Sequence, residues 1–87
     1  MANVVIYTKN YCPFSQECKK FLEEKKVHYD EMIVENDPAM ETEMETKSGG
    51  RTDTPQVFIN GHHIGSFDDL KALEAVGKLN ELLDIHE

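Results

Sequence analysis

Residues 4–34 constrain this chain most, because they read as strand, helix and strand. Val4-Val5-Ile6-Tyr7-Thr8 is an apolar run of strand length. Residues 13–25 place Cys18, Phe21 and Leu22 at i, i+3 and i+4, while Gln16, Glu17, Lys19, Lys20, Glu23 and Glu24 fill the other faces. Residues 27–34 then read as a second strand. Two strands joined through a helix lie parallel, with a right-handed crossover.

The remaining chain extends that unit. Asp37-Pro38 predicts a helix start, an N-cap followed by proline at the first position. Met40 and Met44 share one face as core packing, and Ser48-Gly49-Gly50 stops the helix. Residues 55–59 and 62–65 flank Asn60-Gly61, the strongest short hairpin signal. Ser66 with Asp69 three residues on predicts a capping box for a third helix. Leu70, Leu73 and Val76 form its inward stripe, and Gly77 ends it. Residues 78–87 read as a short final helix anchored by Leu79, Leu82 and Leu83. The order is β-α-β-α-β-β-α, an α/β chain with a four-stranded mixed sheet flanked by helices. Residues 1–87 form one domain in this reading, without repeat, linker or low-complexity tract.

A net charge of −8 argues against general binding of nucleic acid or anionic membranes. No apolar run approaches the length of a membrane span, and no leader pattern precedes the first strand. These features predict a soluble, cytoplasmic protein. The two cysteines, Cys12 and Cys18, are poor material for a disulfide framework.

Cys12 is the sharpest feature. It stands where the first strand hands over to a helix, with Pro13 at the first helical position. Helix-start N–H groups and the helix dipole favour thiolate over thiol, and Lys9 adds positive charge nearby. A thiolate at neutral pH attacks disulfides. Ser15 occupies the place of the second cysteine in a Cys-x-x-Cys pair. Its hydroxyl can bond a thiolate but cannot form a disulfide, so release of Cys12 needs an external thiol. Cys18 is no replacement. Six helical residues rise about 9 Å, whereas a disulfide needs Cα atoms within about 7 Å. Cys18 lies on the apolar stripe and reads as core. His28, His62, His63 and His86 show no metal-ligand spacing, and adjacent strand histidines face opposite ways.

Three motifs together carry a resemblance. Thr8-Lys9-Asn10-Tyr11-Cys12-Pro13-Phe14, Thr54-Pro55-Gln56-Val57-Phe58-Ile59-Asn60-Gly61 and Ile64-Gly65-Ser66-Phe67-Asp68-Asp69-Leu70 resemble a glutaredoxin, in order and spacing, over nearly the whole chain. The small bacterial class-I type is most similar. The resemblance implies a thioredoxin fold, glutathione as co-substrate, glutathionylated proteins as partners, no metal and a monomeric chain. It implies that Cys12 is the catalytic nucleophile and that the Thr54–Pro55 bond is cis. The Thr54 backbone and Pro55 would then face the cysteine portion of glutathione. The helix start at Phe67 and Asp68 would receive the γ-glutamyl carboxylate, and Asp68 also the γ-glutamyl ammonium. Lys9 would meet a carboxylate of the tripeptide, and Tyr11 and Phe14 would wall the groove.

The chain departs from the family pattern at four points. Ser15 replaces the second cysteine of the dithiol motif, which either an introduced exchange or a natural monothiol form would produce. Pro13 replaces the glycine of the monothiol branch, whose inserted loop is also absent. Glu41, which would repel the glycine carboxylate, stands as the counterpart of a basic residue, so either Lys9 carries that role alone or the correspondence slips near Gly49-Gly50. Asp53 replaces a threonine, where its charge would raise the Cys12 pKa, and Ser66 replaces the second of two glycines. These features predict a glutathione-dependent thiol–disulfide oxidoreductase working by a monothiol, deglutathionylating route. One alternative is a dimeric carrier whose [2Fe–2S] cluster is ligated by Cys12 and glutathione. Another is a redox-silent binding module.

Overall fold

The computed structural model describes residues 2–85. The elements are β1 (Val4–Thr8), α1 (Pro13–Glu24), β2 (Asp30–Ile33), α2 (Pro38–Lys47), β3 (Gln56–Ile59), β4 (His62–Gly65), α3 (Phe67–Ala75) and α4 (Leu79–Leu82). The sheet order is β2-β1-β3-β4. β1 pairs parallel with β2, Ile6 opposite Glu31, and antiparallel with β3, Ile6 opposite Val57. β3 and β4 are antiparallel. This is the predicted mixed sheet, in a thioredoxin fold.

Alternation along β1 and β3 builds two cores. Val4, Ile6, Val57 and Ile59 meet Cys18, Leu22, Phe67, Leu70, Leu79 and Leu83 on one face. Tyr7 and Phe58 meet Val34 and Met44 on the other, beneath α2. A fully buried leucine such as Leu22 or Leu70 contributes about 1.5–3 kcal/mol relative to an exposed one. The Phe21 and Phe67 rings meet edge-on at 5.7 Å, and Lys25 pairs with Glu74 at 2.7 Å. Both contacts tie α1 to α3, the two helices whose starts frame the site.

The predicted caps form. Asp37 accepts from the Met40 N–H, and the Ser66–Asp69 capping box is reciprocal. The box also explains Gly65, because a Cβ there would collide with the Asp69 carboxylate. Asn60 and Gly61 both take positive φ, as a primed hairpin turn requires.

Three expectations need correction. The second strand begins at Asp30, later than the predicted 27–34. Lys26 adopts a left-handed conformation (φ 60°), and the Val27 N–H bonds Leu22 O, so these residues close α1 instead. Val76 does not complete the inward stripe of α3. It caps that helix and is 67% exposed. The last helix is a single turn in which Leu79 is buried and Leu82 exposed, and Leu83, which caps it, is buried. Residues 83–85 are not helical, Asp84 taking a positive φ of 59°, and the last two residues of the predicted helix, His86 among them, lie outside the described residues.

Candidate functional site

Cys12 is the N-cap residue of α1, with Pro13 at the first helical position. A short turn presents it, closed by the Cys12 N–H on Lys9 O. Glu35, just beyond β2, accepts from the Asn10 N–H, and Gln16 donates to Asn10 O. The sulfur's approach is therefore braced from β2 and from its own helix.

The half-buried thiol donates to Thr54 O at 3.4 Å, and the Thr54–Pro55 peptide is cis. Burial raises the Cys12 pKa, but hydrogen bonding by the side chains of Thr54 and Ser15 and by the backbone of Ser15 and Phe14 outweighs it, leaving the thiol below its ordinary value. As a thiol, Cys12 makes no cap bond. As a thiolate, it accepts from the N–H groups at the second and third helical positions, which is what an N-cap side chain does. Ionisation thus satisfies the helix start.

Ser15 contributes more than its place in the motif suggests. It is 0% exposed, and its Oγ accepts from the Lys9 N–H at 3.4 Å. With that lone pair engaged, its proton is available to the sulfur. Ser15→Ala should raise the Cys12 pKa and slow thiol alkylation at neutral pH severalfold, since a bond to a charged group is lost. The pH dependence of iodoacetamide alkylation measures this. An unchanged profile would exclude the hydroxyl from thiolate stabilisation.

The groove beside the sulfur has a volume of about 300 Å³ and is lined by Phe14, Arg51, Asp53, Thr54, Pro55, Ser66, Phe67 and Asp68. Five of the sequence-predicted residues therefore converge here: Phe14, Thr54, Pro55, Phe67 and Asp68. Lys9 and Tyr11 do not line it. The Lys9 ammonium lies 5.9 Å from the centre of the Tyr11 ring, and Tyr11 is 71% exposed. Phe14, 59% exposed, offers an apolar wall. Phe67 and Asp68 head α3, where first-turn N–H groups have no carbonyl within the helix. Larger hollows, about 420 Å³ beside Tyr7 and Lys47 and about 520 Å³ beside Val76, do not include these residues.

Arg51 is the cation that sequence reasoning missed. It donates to both carboxylate oxygens of Asp53 at 2.8 Å, and its Nη1 lies 4.0 Å from Asp69. The signal was the arginine immediately after Gly50. Glu41 is instead in the first turn of α2. Bonding from Arg51 holds the Asp53 carboxyl below its usual range. Neither the Asp53 carboxylate nor the Lys9 ammonium is among the groups that set the Cys12 pKa, contrary to the sequence expectation. Hydrogen bonds from Thr54, and from Ser15 and Phe14 at the helix start, do that work. Cys18 is fully buried, and burial pushes its thiol up to about 12. Among the described residues, no group of three or more His, Cys, Asp or Glu is placed to hold a metal ion.

A family profile described as Glutaredoxin matches residues 4–64. The chain belongs to the glutaredoxin family. It is 47% identical to glutaredoxin 3 of Escherichia coli K12 over 83 residues, spanning 95% of this chain and 99% of that protein. It is 41% identical to a glutaredoxin of Pseudomonas aeruginosa, over 95% of this chain and 98% of that one. The solution structure of a Brucella melitensis glutaredoxin superposes with TM-score 0.84 at 39% identity, covering 100% of this chain and 94% of the other. A buckwheat glutaredoxin solved in complex with glutathione superposes with TM-score 0.85 at 26% identity, covering 95% and 77%. As a glutaredoxin, the chain is a glutathione-dependent thiol–disulfide oxidoreductase. None of its described helices is long and apolar enough to cross a membrane.

Proposed function

We propose that this glutaredoxin works by a monothiol cycle through Cys12, with residues 1–87 as one domain acting as a cytoplasmic monomer. The observation that carries the reading is the lowered thiol of Cys12 at the α1 start, facing Thr54, with the buried Ser15 beside it in place of a resolving cysteine. Cys12 thiolate attacks the glutathionyl sulfur of a glutathionylated protein. The mixed disulfide breaks, the protein thiolate leaves and takes up a proton, and a Cys12–glutathione disulfide forms. The thiolate of a second glutathione attacks that same glutathionyl sulfur. Oxidised glutathione departs and Cys12 thiolate returns. In net terms the protein–glutathione disulfide and one glutathione become the protein thiol and oxidised glutathione, so the protein sulfur is reduced as the incoming glutathione sulfur is oxidised.

The groove suits the tripeptide. Thr54 and Pro55 face its cysteine portion, Phe14 flanks it, and the α3 start at Phe67 and Asp68 takes the γ-glutamyl end. Arg51 offers the guanidinium edge left free by Asp53 to a carboxylate, with Lys9 and Tyr11 at the outer rim.

Intact mass and the visible spectrum, recorded with glutathione disulfide, test this reading. The expected product carries a single glutathione, lost on reduction and absent in Cys12→Ser. A coloured, glutathione-dependent dimer would replace the reading by that of a cluster carrier. A chain that gains neither mass nor colour would leave only a binding module.

A further inference from the structure

Gln56, at the start of β3, is 0% exposed. A buried primary amide must satisfy both its oxygen and its NH₂ group, or lose the free energy of their hydration. Gln56 does both. Its Nε2 donates to Asp53 O at 2.8 Å, and its Oε1 lies 2.7 Å from His63 Nε2.

The direction of this chain is fixed by chemistry. The Asp53 carbonyl only accepts, so the amide NH₂ must face it. The amide oxygen then faces His63 and also only accepts. His63 must therefore carry its proton on Nε2, and both the neutral Nε2–H tautomer and the cation satisfy that need. The bond survives either charge state of the ring.

The fold builds this contact across the sheet. His63 pairs with Phe58, and their ring centres are 5.1 Å apart. β4 carries one extra residue here, because Val57 pairs with Gly65 while Phe58 pairs with His63. Such a bulge re-aims a strand side chain. His63 lies on the edge strand and does not line the groove. Yet through Gln56 it reaches the backbone one residue before Thr54. Asp53 is then held twice, by Gln56 at its carbonyl and by Arg51 at its carboxylate. Ser48 Oγ, which accepts from the Arg51 N–H and donates to Arg51 O, steadies the other end of the loop.

We propose that His63 is a positioning residue for glutathione, acting through Gln56 and the Asp53 carbonyl to fix the Thr54 backbone opposite Cys12. This rests on the reading that glutathione lies along Thr54. A residue that only packed against Phe58 would affect stability and leave substrate binding alone.

Two variants separate these roles. His63→Gln keeps an amide N–H near the place of Nε2, while His63→Leu keeps bulk and removes the donor. Steady-state deglutathionylation of a glutathionylated peptide, with glutathione varied, is the assay. For His63→Leu we expect KM for glutathione to rise about fivefold, the scale of one lost hydrogen bond, with kcat little changed. His63→Gln should restore KM. A folded His63→Leu protein with wild-type KM, or a glutamine variant as impaired as the leucine one, overturns the proposal. The ring ¹⁵N shifts of wild-type His63 give a test that needs no variant. A protonated Nε2 supports the proposal, and a neutral ring bare at Nε2 overturns it. Cys12→Ser is run alongside. If turnover in the wild type does not depend on Cys12, the underlying reading fails; if it does, the His63 results judge this proposal alone.

Discussion

Cys12→Ser should reduce deglutathionylation to the uncatalysed rate, a fall of roughly a thousandfold or more, as expected when a nucleophile is removed. The hydrogen bonds at the α1 start explain why the loss is so complete. They stabilise negative charge on one sulfur. A serine hydroxyl in that place keeps the hydrogen bonds but does not ionise near neutral pH, and it cannot form a mixed disulfide. No second thiol substitutes, because Cys18 is buried and its thiol is pushed up to about 12. The pH dependence follows with the same sign. The reactive form is deprotonated, so wild-type alkylation should rise with pH and level off below the range of an ordinary thiol. Stopped-flow turnover and alkylation profiles measure both effects. Residual Cys12→Ser activity within tenfold of wild type would move the nucleophile elsewhere.

Much of this frame is legible in the sequence because it is local. The strand runs alternate, the caps at Asp37 and Ser66 are read within three residues, and Asn60-Gly61 specifies its own turn. The same locality places Cys12 at a helix start. What the sequence hides depends on partners brought from elsewhere, or on backbone choices with weak propensity. Lys26 closes α1 in a left-handed conformation that glycine would have announced, so the second strand looked three residues longer at its start. Val76 fits the helical period but falls where the helix has already ended. Arg51 and Asp53 pair within an irregular loop, where no periodicity marks which charges meet. Asp53 therefore looked like an unopposed carboxylate. Lys9 looked like a cation for the sulfur, but its side chain lies over Tyr11. The Gln56–His63 contact joins two strands diagonally and depends on a bulge, which no single segment encodes.

Ser15→Cys should turn the chain into a reductant of internal protein disulfides, an activity we expect to be weak or absent in the wild type. Helix geometry supports the gain. Positions 12 and 15 are three residues apart at the start of α1, which places their Cα atoms about 5 Å apart. That distance suits a disulfide, whose Cα separation is usually about 4.4–6.8 Å. The Ser15 side chain already acts on the Cys12 thiol, so a thiol there would be aimed at the sulfur that carries glutathione. Attack by the introduced thiol on the Cys12 sulfur of the mixed disulfide would expel glutathione and leave an internal disulfide. The expected oxidised variant therefore has one free thiol, Cys18, and lacks the glutathione adduct that accumulates on the wild type. Thiol counting and intact mass distinguish the two products, and insulin-disulfide reduction reads the activity. If the oxidised variant keeps its glutathione and shows no gain with insulin, residue 15 is not what confines this chain to the monothiol cycle. The same substitution removes a hydroxyl that stabilises the thiolate, so Cys12 alkylation in the reduced variant reports that loss separately from the gain of a resolving thiol.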